Sequence, residues 1–446
     1  MMATAAPTTW MVLGLAATGR SIARWLSQRD DRVVLVDDQI TIDRAAFEAI
    51  LPRADIVLGQ SESVSLDGVD TVITSPGYAP THPLLRRAAA EGVPIVSDVE
   101  LFCREARGSV VAVTGSNGKS TVVTLLNEMC QAAGVKARAG ANLGTPALDL
   151  LSPDEEMIYL LELSSFQLER TDSLNAHVAT VLNLSEDHID WHGSLAAYRA
   201  AKLKIYEHCE FAVINGDQPS LSPAPDNDAL LVEFVSGEPG SRQFGVTEVS
   251  GEQWLCFGDQ ALIAVADCAL RGEHNIANML AALAIASAID LPLSAMRDVL
   301  RRFRGLAHRH QHVGDFQGVS WINDSKATNI GASLASIEAV SGPIILLLGG
   351  RTKGESLDAL IDQLPTRVKF CVVYGENRAQ LATLLEARLR DHASVASLDE
   401  AVNVAASVAR VGDTVLLAPA AASQDAFSNY AARGDRFVEL VRERCA

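Results

Sequence analysis

Short apolar runs alternate with stretches of helical periodicity along this chain. Trp10–Leu15, Val33–Val36 and Val69–Thr74 read as strands, the second ending at Asp37. Ser21–Arg29 and Leu84–Glu91 read as helices, the latter closed by Gly92. Continuous apolar runs mark strands covered on both faces, so the rhythm predicts a parallel sheet built from βαβ units. A second block begins near Asp98. Its predicted strands are Val110–Val113, Met157–Leu161, Val178–Asn183 and Phe211–Asn215, and its helices are Ser120–Ala133, stopped by Gly134, and the apolar-faced Asn275–Ile289. Residues 217–245, rich in Pro, Asp, Ser and Gly, read as loop or edge structure. After Gly305 comes a third α/β block, with strands Ile344–Leu348, Phe370–Tyr374 and Val415–Leu417 and helices over Gln380–Leu389 and Glu400–Val408.

Composition agrees with that division. The 446 residues make about three domains at roughly 150 residues each. Their 48% hydrophobic and 21% charged content excludes a disordered chain. No run approaches the roughly 18 apolar residues of a membrane helix. Met11–Ala17 is short and has no basic segment before it, so a buried first strand is expected there rather than a signal peptide. A net charge of −18 argues against a nucleic-acid partner, and any anionic ligand must be held by local positive groups. Seven scattered cysteines without a CxxC pair fit reduced cytoplasmic thiols rather than a disulfide frame or a zinc site.

The strongest chemical signal is the run Val110 to Thr121, VVAVTGSNGKST, in which a strand enters a glycine turn and then a helix. Gly115 and Gly118 let the backbone wrap an anion, Lys119 neutralises phosphate, and the Ser120 hydroxyl suits Mg²⁺. The longer loop GxxxxGK[ST] would need glycine at 113, where Val113 stands. Gly14–Gly19 is a weakened dinucleotide turn, its middle glycine replaced by Ala16, with Asp37 near the place of a ribose-binding acid. From the residues alone it reads either as a nucleotide-holding, Rossmann-like turn or as a tight turn without a ligand. Glu162, at a strand end beside the phosphate loop, is a candidate Mg²⁺ ligand or a solvated acid. His188 is a metal ligand, a general base or a structural histidine, and Lys202 by itself reads as a solvated helix charge. In the third block, INDSKATN, LGGRTK and PAAAS each sit where a strand ends, forming a polar rim for a small charged ligand.

TGSNGKST, LELSSFQLE, NLSEDHIDWHG with YRAAKLKIY, GEHNIANMLAA and INDSKATN, in this order, resemble the Mur ligase family of peptidoglycan synthesis over essentially the whole chain. The resemblance implies three α/β domains. These are a Rossmann-like UDP-substrate domain over 1–97, a central P-loop-type ATPase domain with a mainly parallel sheet over 98–305, and a Rossmann-like amino-acid domain over 306–446. It implies ATP-dependent amide bond formation through an acyl phosphate and a tetrahedral intermediate, by a monomer acting on small molecules with no membrane partner. Within the family the chain looks most like the members that add D-glutamate to UDP-N-acetylmuramoyl-L-alanine. No DNPR-type motif of the diaminopimelate-adding members occurs. A Mur-type or folylpolyglutamate-type ligase for another amino acid, or a non-catalytic nucleotide switch, stands as the alternative.

The resemblance also implies residue roles. Leu15, Thr18, Ser75, Pro76 and Gly77 line the UDP site, and Asn142 touches the pyrophosphate or sugar. Gly115, Ser116, Asn117, Gly118, Lys119, Ser120 and Thr121 cradle ATP, and Asn278, Arg309 and Asp324 contact the nucleotide. Ser120 and Glu162 serve one Mg²⁺; Glu162, His188 and a carbamylated Lys202 serve a second. Lys326, Thr328, Lys353, Ser423 and Tyr430 face D-glutamate. Lys119, His188, Lys202 and Lys326 are the expected catalytic groups. Three departures stand out: Ala16 in the first turn, Asp38-Gln39 where the family often has Thr-Arg, and Tyr430 where phenylalanine is typical.

Overall fold

A computed structural model of the chain describes residues 8–185, 189–351 and 357–445, which divide into two compact units between Phe303 and Arg304. The first unit holds two sheets. In the first sheet β1 (Thr9–Leu13), β2 (Arg32–Asp37), β3 (Asp55–Leu58), β4 (Thr71–Thr74) and β5 (Ile95–Val96) are all parallel, in the order β3-β2-β1-β4-β5. The strand order reverses beside β1, which opens a crevice at the carboxyl ends of β1 and β4.

The second sheet has nine strands, in the order β14-β13-β12-β11-β10-β9-β6-β8-β7. They are β6 (Ser109–Thr114), β7 (Ala137–Ala141), β8 (Ile158–Glu162), β9 (Ala176–Val181), β10 (Cys209–Asn215), β11 (Leu230–Phe234), β12 (Gln243–Val249), β13 (Glu252–Phe257) and β14 (Gln260–Ala264). β7 through β12 run parallel, and β12 to β14 form an antiparallel meander. β6 lies between β8 and β9, so its side chains from Val110 to Thr114 are all buried. The helix Lys119–Ala132 leaves the end of β6 and buries Val122, Val123, Leu125, Leu126 and Met129. One apolar cluster joins Val12, Ile22 and Leu35 of the first sheet's layer to Val110, Tyr159 and Leu161 of the second, so the two sheets fall in one unit.

The second unit has a six-stranded sheet, β15-β16-β20-β17-β18-β19. Its strands are β15 (Gln311–Phe316), β16 (Val319–Asn323), β17 (Ile344–Gly349), β18 (Val368–Tyr374), β19 (His392–Ser394) and β20 (Thr414–Leu417). Only β15 is antiparallel. The architecture is α/β and mainly parallel, as expected. Two corrections concern strands. The stretch 217–245, read as loop or edge structure, contains β11, which lies inside the sheet, and the start of β12, and β3, β5, β7, the meander, β15 and β19 escaped the apolar-run reading. Among the described residues no helix is long and apolar enough to cross a membrane, and Cys103, Cys130, Cys209, Cys256, Cys268 and Cys371 are free thiols.

Candidate functional site

Each sheet of the first unit ends in a glycine turn. In the first, Gly14 has φ +99°, and a Cβ there would lie 2.7 Å from Ser75 Oγ. Ser75 Oγ donates to the Gly14 carbonyl at 3.0 Å, and Ser75 N–H donates to Leu13 O at 2.9 Å. Leu15 is buried, Thr18 is half-buried, and Ser75, Pro76 and Gly77 follow β4 on the neighbouring strand end. Asp37 is 4% exposed, and its oxygens are taken by its own chain. It accepts from Leu15 N–H at 2.6 Å, Gln39 N–H at 2.8 Å and Tyr78 Oη at 3.3 Å. Burial, with Asp37 and Asp38 nearby, pushes the Tyr78 hydroxyl up to about 12, so it stays protonated to donate. The acid at the expected ribose position is therefore a brace for the turn.

The second turn is arranged differently. Gly115 has φ +155°, and Gly118 has φ +82° at the N-terminus of the helix Lys119–Ala132. Asn278 of the helix Glu273–Ala288 lies so close that a Cβ on Gly118 would sit 2.2 Å from its Oδ1. Asn183, just after β9, clamps the loop. Its carbonyl accepts from Ser116 N–H at 2.9 Å, its Oδ1 accepts from Asn117 N–H at 2.8 Å, and its Nδ2 donates to Asn117 O at 3.1 Å. Lys119 Nζ donates to the Gly115 and Ser116 carbonyls, at 2.8 Å each. Thr121 is half-buried on the helix's first turn.

Around this loop three side chains join. Ser120 Oγ donates to Glu162 Oε2 at 2.6 Å, and Asn142 Nδ2 donates to Glu162 Oε1 at 2.5 Å. Ser120 and Glu162 are buried at 4% and 2% exposure, whereas Asn142 is exposed. Lys202, 1% exposed, donates to Gly115 O at 2.9 Å and Thr114 Oγ1 at 3.3 Å, and its Nζ lies 4.6 Å from the Tyr198 ring centre. A cavity of about 350 Å³ brings Pro76 and Gly77 of the first turn together with Lys119, Asn142, Tyr198 and Lys202, and Ser164, Ser165 and Phe166 complete its wall. His188 lies outside the described residues. Among those described, no three His, Cys, Asp or Glu side chains cluster.

In the second unit, the strand ends gather the polar rim. Lys326 Nζ lies 4.2 Å from the Tyr430 ring centre, and its N–H donates to His308 O at 3.0 Å. Thr328 N–H donates to Lys326 O at 2.7 Å, and Ser423 is 2% exposed. Arg433, 1% exposed, ties these segments through Ser325 Oγ at 2.9 Å, Ser325 O at 2.9 Å and Ala421 O at 3.1 Å. Burial raises the Asp324 carboxyl above its ordinary range, against the hydrogen bond from Ser336 and the nearby charge of Arg309. Lys353 lies outside the described residues.

Residues 8–97 match the N-terminal domain described as Mur ligase MurD-like, 113–286 the Mur ligase middle domain, and 308–421 the Mur ligase glutamate ligase domain. The UDP-N-acetylmuramoylalanine–D-glutamate ligase of Chromohalobacter salexigens is 43% identical over 437 residues, covering 96% of this chain and 95% of that protein. The chain belongs to the Mur ligase family. The protein of the same name from Pseudomonas aeruginosa is 42% identical, covering 97% of each chain. The Thermotoga maritima UDP-N-acetylmuramate–alanine ligase shares the fold at TM-score 0.58 and 18% identity, covering 98% of this chain and 99% of its own. The MurF ligase of the same organism, in complex with ADP, does so at 0.57 and 17%, covering 94% and 96%.

For a Mur ligase, the donors around Glu162 are the hard oxygens that Mg²⁺ prefers: one carboxylate and one hydroxyl, already within hydrogen-bond reach of each other. Sequence reasoning misses Asn183 and Tyr198 around this site and, in the second unit, Arg433. Asn183 is read only as the end of a strand and the start of a motif, Tyr198 only as part of a helix, and Arg433 not at all. The one signal in the sequence is that Asn183 ends an apolar strand run; that this strand, β9, lies directly beside β6 is shown only by the fold.

Proposed function

We propose that the chain joins D-glutamate to the terminal alanine carboxylate of UDP-N-acetylmuramoyl-L-alanine, consuming ATP. The observation that carries this reading is the end-to-end relation, at 43% identity, to a protein named for that activity. As a member of the Mur ligase family the chain is an ATP-dependent ligase that uses Mg²⁺.

A carboxylate is a poor electrophile, and phosphorylation turns it into an acyl phosphate that an amine can attack through a tetrahedral intermediate. In this reading the loop Gly115–Thr121 grips the ATP phosphates with backbone N–H groups and the helix N-terminus, and Asn278, Arg309 and Asp324 contact the nucleotide. Lys119, which turns back onto loop carbonyls, swings to the transferring phosphoryl group and offsets its charge. Ser120 and Glu162 would hold one Mg²⁺, and Glu162, His188 and a carbamylated Lys202 would hold a second; bound there, Mg²⁺ would supply neutralisation of phosphate and carboxylate charge. Carbamylation would convert Lys202 from a donor into an oxygen ligand. Leu15, Thr18 and Ser75–Gly77 hold the UDP moiety, with Asn142 toward the pyrophosphate or sugar. Lys326, Thr328, Lys353, Ser423 and Tyr430 take D-glutamate. We further read residues 1–97, 98–305 and 306–446 as the three working domains of a cytoplasmic monomer.

The test is ADP release by the purified chain with ATP, Mg²⁺ and UDP-N-acetylmuramoyl-L-alanine, offered one amino acid at a time. D-glutamate alone is expected to support turnover. Turnover with another amino acid and none with D-glutamate would overturn the assignment.

A further inference from the structure

We propose that Ser165, His192 and Glu169 form a proton relay on the wall of the cavity that holds Lys119 and Lys202, taking up the proton released when the amine attacks. The proposal rests on the ligase reading above. The motif LELSSFQLE carries two serines, and the structure divides their work. Ser164 is spent at the start of the helix Ser165–Leu168, where its hydroxyl accepts from Gln167 N–H and donates to Gln167 Oε1. Ser165, 2% exposed and on the cavity wall, has its Oγ 2.9 Å from His192 Nε2. His192 Nδ1 lies 3.1 Å from Glu169 Oε1, and the other Glu169 oxygen accepts from Trp191 Nε1 at 3.3 Å. The His192 side chain is 0% exposed. Its ring stacks on Phe166 at 17° with centres 5.5 Å apart, and lies 5.2 Å from the Tyr198 ring.

A neutral imidazole that donates from Nδ1 to a carboxylate has Nε2 ready to accept from a hydroxyl. That is the order hydroxyl, histidine, acid in which a serine becomes a proton acceptor. Fixing the ring by stacking on one side and a carboxylate on the other holds that tautomer. Among the described residues, the titratable groups around the ring are Glu169 and Tyr198, with Lys202 over the Tyr198 ring and Lys204 Nζ 3.5 Å from Glu169 O.

In the amide-forming step the amine nitrogen bonds to the acyl-phosphate carbon, and the carbonyl pair moves onto oxygen. An N–H proton passes to Ser165 Oγ as the Ser165 hydroxyl proton passes to His192 Nε2, and the Glu169 carboxylate stabilises the imidazolium. When the adduct collapses, the C–O bond to phosphate breaks and phosphate leaves with the electron pair. The imidazolium proton then returns through Ser165 to the departing phosphate. Ser165 is the group that touches the reactants; His192 and Glu169 position and charge it.

The test compares two nucleophiles on wild type, His192→Phe and Glu169→Gln: D-glutamate, and hydroxylamine, which is largely unprotonated at neutral pH and needs little base assistance. His192→Phe is expected to slow amide formation about 10²-fold through kcat, with KM for D-glutamate unchanged, while hydroxamate still forms. Glu169→Gln, which keeps the ring in place, is expected to lose less and to move the acid limb of the kcat–pH profile to lower pH, because the imidazolium loses the carboxylate that stabilises it. Amide formation at the wild-type rate in both variants, or amide and hydroxamate falling in parallel, would overturn the relay while leaving the wild-type ligase intact. A wild-type chain that makes neither product overturns the ligase reading, and the relay with it.

Discussion

The turn after β1 and the turn after β6 are built to one plan: a buried parallel strand, glycines at positive φ, a helix, and an acid on a neighbouring strand. They differ in what the acid does. Asp37 spends its oxygens on Leu15, Gln39 and Tyr78 of its own layer. Glu162 faces two side chains, Ser120 and Asn142, the second of which lines a cavity that also holds two lysines. Two backbone N–H groups and a tyrosine hydroxyl, none of them lining that cavity, make a carboxylate into a brace. Side-chain partners beside a cavity leave it able to trade them for a cation. Glycine spacing places both acids, and only their partners tell the roles apart.

The comparison breaks most sharply at Lys119. Lys119→Ala is expected to cut phosphate release about 10²–10³-fold, because the charge on the transferring group loses its compensation. Activity within about tenfold of wild type would make the second turn as structural as the first. Next comes Lys202. A buried lysine with oxygens of the phosphate loop as partners should not tolerate truncation, and Lys202→Ala is expected to lose about 10²-fold in kcat. A fully active variant, measured by ADP release, would return Lys202 to the status of an ordinary helix charge.

The phosphate loop and its helix were legible in the sequence because their signals are local: an apolar strand, two glycines, then Lys119 and Ser120 within a dozen residues. The helices Lys119–Ala132 and Glu273–Ala288 and the apolar central strands were legible for the same reason, whereas the equally long helix Tyr430–Cys445 was not. The strand β7, with sequence ARAGA, carries no apolar run. In β11, Leu230 and Leu231 are 58% and 60% exposed, on a strand reached through a Pro- and Asp-rich loop. Such strands owe their place to neighbours rather than to their own pattern. The clamp by Asn183 depends on β6 pairing with β9, and the bond from Ser165 to His192 spans 27 residues. Asp37 is the instructive case: its distance along the chain was right for a ribose-binding acid, but whether its oxygens were already taken is a question only the folded turn answers.

Asp37→Ala sharpens the contrast from the other side. It strips the acceptor from the buried N–H of Leu15 and from Gln39, at an expected cost of about 2–3 kcal/mol in stability by denaturant unfolding. ATP affinity should stay unchanged, because the phosphate loop belongs to the other sheet. An acid that served only to bind ribose would do the reverse, raising KM for the UDP substrate at constant stability.

The smallest effect concerns a third buried acid, whose oxygens are only partly used. Asp98, 1% exposed, begins the helix Asp98–Glu105, and its Oδ1 has no hydrogen-bond partner among the described residues. Burial pushes its carboxyl up to about 6, against the opposing backbone hydrogen bonds from Ala147 and Val99. The folded state therefore holds a proton between about pH 4 and pH 6 that the unfolded chain has released. Stability from this group is fully present below pH 4, falls as pH rises through that window, and stays low above it. Asp98→Asn fixes the uncharged form. It is expected to raise stability at pH 7 by about 1–2 kcal/mol, below the ceiling of about 3 kcal/mol that a shift of this size allows, and to remove the slope between pH 4 and 6. Urea unfolding of the two proteins across pH 4–8 reads both. Parallel curves would mean that Asp98, like Asp37, has all the partners its charge requires.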